Sequence, residues 1–75
     1  MDYFELFKLP VSLKTDRTEV LKSYYALSRI HHPDRAAQDQ QDKAMLISTS
    51  INEAKNILDD PHRRLEYILA QKGWL

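Results

Sequence analysis

No cysteine occurs among the 75 residues, which removes disulfide staples, thiolate metal sites and thiol nucleophiles at once. That absence leaves the compartment open, with the cytoplasm as the default expectation. Glycine occurs once, at Gly73, and proline three times. Runs of β-branched residues are few as well, so turn and strand material is scarce and an all-α chain is expected. Neither sign of charge prevails, with 11 Lys and Arg against 11 Asp and Glu. A balanced chain has no global field to draw in a polyanion, so no nucleic-acid partner is expected. No apolar run approaches the roughly 18 residues a membrane span needs. The opening "MDYFELFKLP" sets acids among its aromatics and lacks a basic stretch followed by an apolar one, which excludes a signal or transit peptide.

What remains is ordinary for a globular domain: 43% apolar and 29% charged residues, too apolar for disorder. The length allows one small core and no second one, so any function must sit on a surface or a loop. The ending "QKGWL" carries no polar tail, and the expectation is one domain, residues 1–75, forming the N-terminal part of a longer chain.

The prolines and caps divide the chain into four helices. Asp2 is a suitable N-cap for a first helix over about 2–8, in which Tyr3, Phe4, Leu6 and Phe7 supply apolar bulk and Pro10 is the expected stop. Asp16 and Glu19 have capping-box spacing, and Val20, Tyr24, Leu27 and His31 then recur at helical intervals, giving a second helix over 17–31. Of Tyr24 and Tyr25, the first faces the core and the second the solvent. Pro33 disfavours helical geometry at His32 and ends the helix there. The polar stretch 34–41, "DRAAQDQQ", reads as a loop.

A third helix over 41–58 is marked by Ala44, Ile47, Ile51, Ala54 and Leu58, with Met45, Leu46 and Ile57 widening the stripe. Its small Ala44 and Ala54 allow close approach, which pairs it antiparallel with the second helix. Asp60 then caps and Pro61 opens a fourth helix over 61–71 with an apolar side of Leu65, Ile68 and Leu69, and Gly73 terminates it.

His32-Pro33-Asp34 therefore falls at the tip of a helical hairpin, the kind of place where binding residues collect. Asp34 offers a carboxylate able to accept two hydrogen bonds from a guanidinium, Pro33 fixes the backbone, and His32 supplies an imidazole donor or acceptor. Taken alone, the tripeptide reads better as an ordinary helix stop, with Asp34 capping a turn and the histidine solvated. Adjacent helical side chains diverge, so His31 and His32 do not share a metal, and His62 is distant; no metal or cofactor is expected. An acid–base pair of His and Asp would need a pocket and a nucleophile, and neither is in evidence, so no catalytic residue is assigned and the chain is not read as an enzyme.

The tripeptide between two such helices, the opening "DYFELFKLP" and the segment "INEAKNILDDPHRRLEY" together resemble the J-domain co-chaperones, the DnaJ family, over the whole chain. The Met-Asp-Tyr-Phe start and "RRLEYILAQKG" at 63–73 are most similar to the HscB-type branch, the iron–sulfur assembly co-chaperones. The resemblance implies the four-helix J-domain fold and a co-chaperone that stimulates the ATPase of a heat shock protein 70 family chaperone of the HscA or DnaK type. It also implies an iron–sulfur scaffold protein as a second partner, bound through a C-terminal domain that this sequence lacks. His32, Pro33 and Asp34 carry over as the interaction tripeptide, with Arg35 beside it. Arg29 and Lys22, seven apart on one helix face, carry over as docking cations; a solvated face is an equally good reading of Lys22.

Two departures from the family pattern stand out. Leu21, Tyr25 and Ala26 occupy places that are basic in many general J-domains, which thins the positive stripe and points to a specific partner. His31 stands where Tyr is usual. A general J-domain serving protein folding is the alternative reading.

Overall fold

Asp2 turns the backbone into the first helix, its carboxylate accepting the N–H of Phe4 at 2.9 Å, as an N-cap should. The computed structural model describes residues 2–74. Helix α1 (Tyr3–Leu6) is shorter than the pattern predicts and stops well before Pro10. Lys8 takes a left-handed conformation, φ 56°, so that Leu9 N–H reaches Phe4 O at 2.9 Å and Lys8 N–H reaches Glu5 O at 3.0 Å. That pair of bonds is a Schellman closure made without glycine. The chain reversal at Lys8, not the proline, is the stop.

Helix α2 (Arg17–Ile30) starts from Asp16, whose carboxylate accepts Thr18 N–H at 2.9 Å. Only this half of the expected capping box forms: Asp16 engages the second helical N–H instead of the third, and Glu19 is exposed. His31 closes the helix, its N–H donating to Leu27 O at 3.0 Å. Residues 34–41 are not the featureless loop the polar composition predicts, because two 3-10 turns, Pro33–Arg35 and Gln38–Gln40, organise the stretch.

Helix α3 (Gln41–Leu58) and helix α4 (Pro61–Gln71) have the predicted bounds. Asp60 caps α4 by accepting from His62 and Arg63 N–H. Gly73, φ 76°, closes it with a Schellman pair, Trp74 N–H to Leu69 O at 2.9 Å and Gly73 N–H to Ala70 O at 3.1 Å.

Helix α3 is the central element, packing against α1, α2, α4 and both 3-10 turns. Its pairing with α2 is antiparallel: Arg17 Nε meets Asp59 Oδ1 at 2.9 Å at one end, and Tyr24 donates to Asn52 Oδ1 at 2.8 Å midway. Ile30 and His31 flank Ala44 and Ile47 at the other end. The core consists of Phe4, Phe7, Val20, Ile51, Ala54, Leu58 and Ile68. Helix α1 is fastened across it by Tyr3, whose N–H donates to Tyr67 Oη at 2.9 Å and whose ring stacks on Tyr67 at 5.1 Å. Ser23 Oγ donates to Phe7 O at 2.9 Å and ties α2 to the same corner.

Burial on α3 is concentrated in its second half, at Ile51, Ala54 and Leu58. Met45 and Leu46 therefore do not widen the buried stripe and are 58% and 71% exposed. On α4 the expected Leu65 is 38% exposed while Arg64 is buried. The Arg64 guanidinium donates to Leu58 O at 2.7 Å and Leu13 O at 3.0 Å, fastening the α1–α2 loop to the end of α3. The hairpin tip lies ten residues beyond Val20 on α2 and ten before Ile51 on α3, about 15 Å of helix beyond the fully buried core. It is an arm held by half-buried Tyr24, Leu27 and Ile47.

Candidate functional site

Pro33 forces extended geometry on His32, φ −64° and ψ 131°, and in that conformation His32 caps the turn that follows. Its Nδ1 accepts Asp34 N–H at 3.2 Å, while Arg35 N–H donates to His32 O at 3.0 Å and Ala36 N–H to Pro33 O at 3.1 Å. The turn satisfies its own backbone groups and packs against α3, so its direction is fixed. With Nδ1 serving as the acceptor, the neutral ring carries its proton on Nε2. The Asp34 carboxylate lies 3.6 Å from Nδ1, beyond hydrogen-bond range, and the two groups are neighbours without a direct bond.

The Asp34 side chain is 90% exposed, and no donor among the described residues reaches its carboxylate. The turn thus spends its backbone donors internally and presents one acid outward, in a geometry suited to a bidentate cation. Arg35 is exposed on the same turn. Arg29, one residue before Ile30 at the end of α2, is exposed as well and stands close to the tip.

Lys22 is exposed on the Arg29 face, but seven residues back, about 10 Å along the axis. The structure brings five of the six sequence-assigned residues to the tip and leaves Lys22 on the shaft. Among the described residues none of Lys22, Arg29 and Arg35 forms an ion pair, and no group of three metal-ligating side chains occurs.

Sequence reasoning missed the cleft beside the turn. It encloses about 190 Å³ between the end of α2 and the start of α3, with His31, His32, Arg35 and Lys43 on its walls. His31 lines it, half-buried at helical spacing from Leu27. The signal was present: antiparallel pairing of the two helices sets the first turn of α3, hence Lys43, against the last turn of α2.

The model of the DnaJ domain family matches residues 2–67. The chain belongs to the DnaJ domain family. The J-domain is 42% identical over 76 residues to the co-chaperone protein HscB homolog of Shewanella amazonensis, covering 97% of this chain and 44% of that protein. To the corresponding homolog of Acinetobacter baylyi it is 39% identical over 72 residues, covering 96% and 41%. The solved structure of chaperone HscB from Vibrio cholerae matches with a TM-score of 0.89 at 36% identity, over 96% of this chain and 44% of that one. The chain spans less than half the length of these relatives. No helix of the described residues is long and apolar enough to cross a membrane.

Proposed function

We propose that this J-domain docks its hairpin tip on the ATPase domain of a heat shock protein 70 family chaperone, of the HscA or DnaK type, and accelerates ATP hydrolysis there. The observation that carries the reading is the Asp34 carboxylate, 90% exposed, accepting no hydrogen bond among the described residues and held outward by a turn that Pro33 and His32 fix. The domain has no chemistry of its own in this account. Asp34 engages a chaperone cation, and by binding the hydrolysis-competent state more tightly than the resting state the tip shifts the chaperone toward it. Arg29 and Arg35 guide the encounter and pair at the rim, and Lys22 adds to steering from farther along α2.

The likeness to HscB co-chaperones supports a role in iron–sulfur cluster assembly and protein maturation, in the cytoplasm. Residues 1–75 would be the N-terminal, chaperone-facing domain, and an iron–sulfur scaffold protein would be bound by a segment outside it. Single-turnover ATP hydrolysis is the test, run with an HscA-type and a DnaK-type chaperone. Acceleration of the HscA-type enzyme that His32→Gln abolishes is expected. Equal stimulation by wild type and His32→Gln would refute the assignment of the tip, and acceleration of the DnaK-type enzyme alone would refute the iron–sulfur role.

A further inference from the structure

The cleft at the side of the tip has only basic side chains among its ionisable lining. His31, His32, Arg35 and Lys43 line it, Gln40 adds an amide, and no carboxylate contributes to its walls. This occurs in a chain whose charges otherwise cancel, 11 against 11. The volume, about 190 Å³, equals roughly six water molecules at about 30 Å³ each. Sites for small molecules and cofactors run from about 300 Å³ upward, so the space suits the end of one side chain. Ala44 and Ile47 on the inner wall lower the local dielectric and strengthen any ion pair formed there.

We propose that this cleft receives a single aspartate or glutamate side chain of the ATPase partner while Asp34 meets a cation of that partner. The inference rests on the reading of the tip as the chaperone-docking element. The two contacts have opposite polarity and belong to one turn, His32 and Arg35 lining the cleft and Asp34 lying outside it, so together they fix the rotational register of docking, which a lone carboxylate does not. Lys43 and His31 are the specificity-determining residues that this adds. The acids nearest in sequence, Asp34, Asp39 and Asp42, are exposed and outside the cleft. They disfavour free anions, so a carboxylate enters when a docked protein presents it.

Lys43→Glu is the decisive variant because it does not endanger the fold. Lys43 is exposed at the third position of α3, where an acid is favoured by the helix dipole. Affinity for the ATPase partner, measured by titration calorimetry, and maximal stimulation, measured by single-turnover hydrolysis at saturation, are read together for Lys43→Glu and Asp34→Asn. The expected result is a Kd raised by about tenfold or more for Lys43→Glu, a weaker salt dependence, and maximal stimulation retained at saturation. Asp34→Asn instead loses maximal stimulation. An unchanged Kd for Lys43→Glu alongside an inactive Asp34→Asn overturns the cleft inference and leaves the docking role of the tip standing. Full stimulation by Asp34→Asn overturns the underlying reading, and the inference with it.

Discussion

Replacing Arg64 by methionine removes the one buried charged side chain among the described residues while keeping an unbranched chain of similar reach. In the wild type, Arg64 is 6% exposed and its two terminal nitrogens donate to Leu58 O at 2.7 Å and Leu13 O at 3.0 Å. Hydrogen bonds from a charged donor contribute about 1.5–3 kcal/mol each. Leu13 is 58% exposed and its carbonyl has access to water after the substitution, whereas Leu58 is fully buried and its carbonyl loses its side-chain donor. Against this stands the desolvation of the guanidinium, whose Nε is buried without a partner. The balance is a loss of about 3 kcal/mol.

A 75-residue domain holds about 4–11 kcal/mol in total, so the variant gives up about a quarter or more of its stability. At about 4–8 °C per kcal/mol for a domain of this size, Tm falls by roughly 12–24 °C. Urea and thermal denaturation followed by circular dichroism read both quantities. Arg64→Lys falls between, since one ammonium does not span both carbonyls, and exposed Arg63→Met stays within about 0.5 kcal/mol of wild type. A methionine variant as stable as wild type would refute the reasoning, because burying the charge would then cost as much as its two bonds return.

Lys8→Gly stabilises the domain by about 1 kcal/mol, since φ 56° strains any residue with a Cβ and glycine adopts it freely; a lowered urea midpoint would contradict the Schellman closure of α1. Tyr3 and Tyr67 both ionise above the ordinary tyrosine value, Tyr3 through burial first and then Glu53, and Tyr67 through burial first and then Asp2, against the bond from Tyr3 N–H. Raised folded-state values mean that this stability is complete below the unfolded value near 10.0 and is lost as pH rises through the folded values. Denaturation midpoints are therefore expected to fall above about pH 10 in wild type and less in Tyr3→Phe, with identical alkaline profiles as the contrary result.

The bounds of α2, α3 and α4 were legible because each is set by local chemistry. Asp16 and Asp60 accept the first N–H groups, Pro33 forbids helix at His32, and Gly73 supplies a left-handed closure, all within a few residues of the element they bound. Helix α1 was misjudged for the complementary reason: Lys8 carries no glycine-like signal, and the energy that holds it left-handed comes from Phe4 and Phe7 reaching a distant core. Tertiary placement also hid Arg64, whose carbonyl partners lie six and 51 residues away.

Met45 and Leu46 fit the helical period but have no neighbour to bury them, because α3 is covered mainly along its second half. At the site, the order His-Pro-Asp and its place between two helices were readable. The engagement of His32 Nδ1 by Asp34 N–H, which leaves the Asp34 carboxylate without a hydrogen bond, and the cationic cleft with Lys43 depend on how the turn folds back on α3.

Asp34 carries the proposed activation, and single-turnover ATP hydrolysis at saturating domain tests it. The side chain is 90% exposed and forms no hydrogen bond among the described residues, so Asp34→Asn removes one charge and leaves melting temperature and helicity as they are. Hydrolysis by the chaperone is expected to fall to its unstimulated rate with this variant while the wild type accelerates it. Acceleration by Asp34→Asn equal to that of the wild type, with the fold intact, would contradict the claim that the tip carboxylate activates the ATPase.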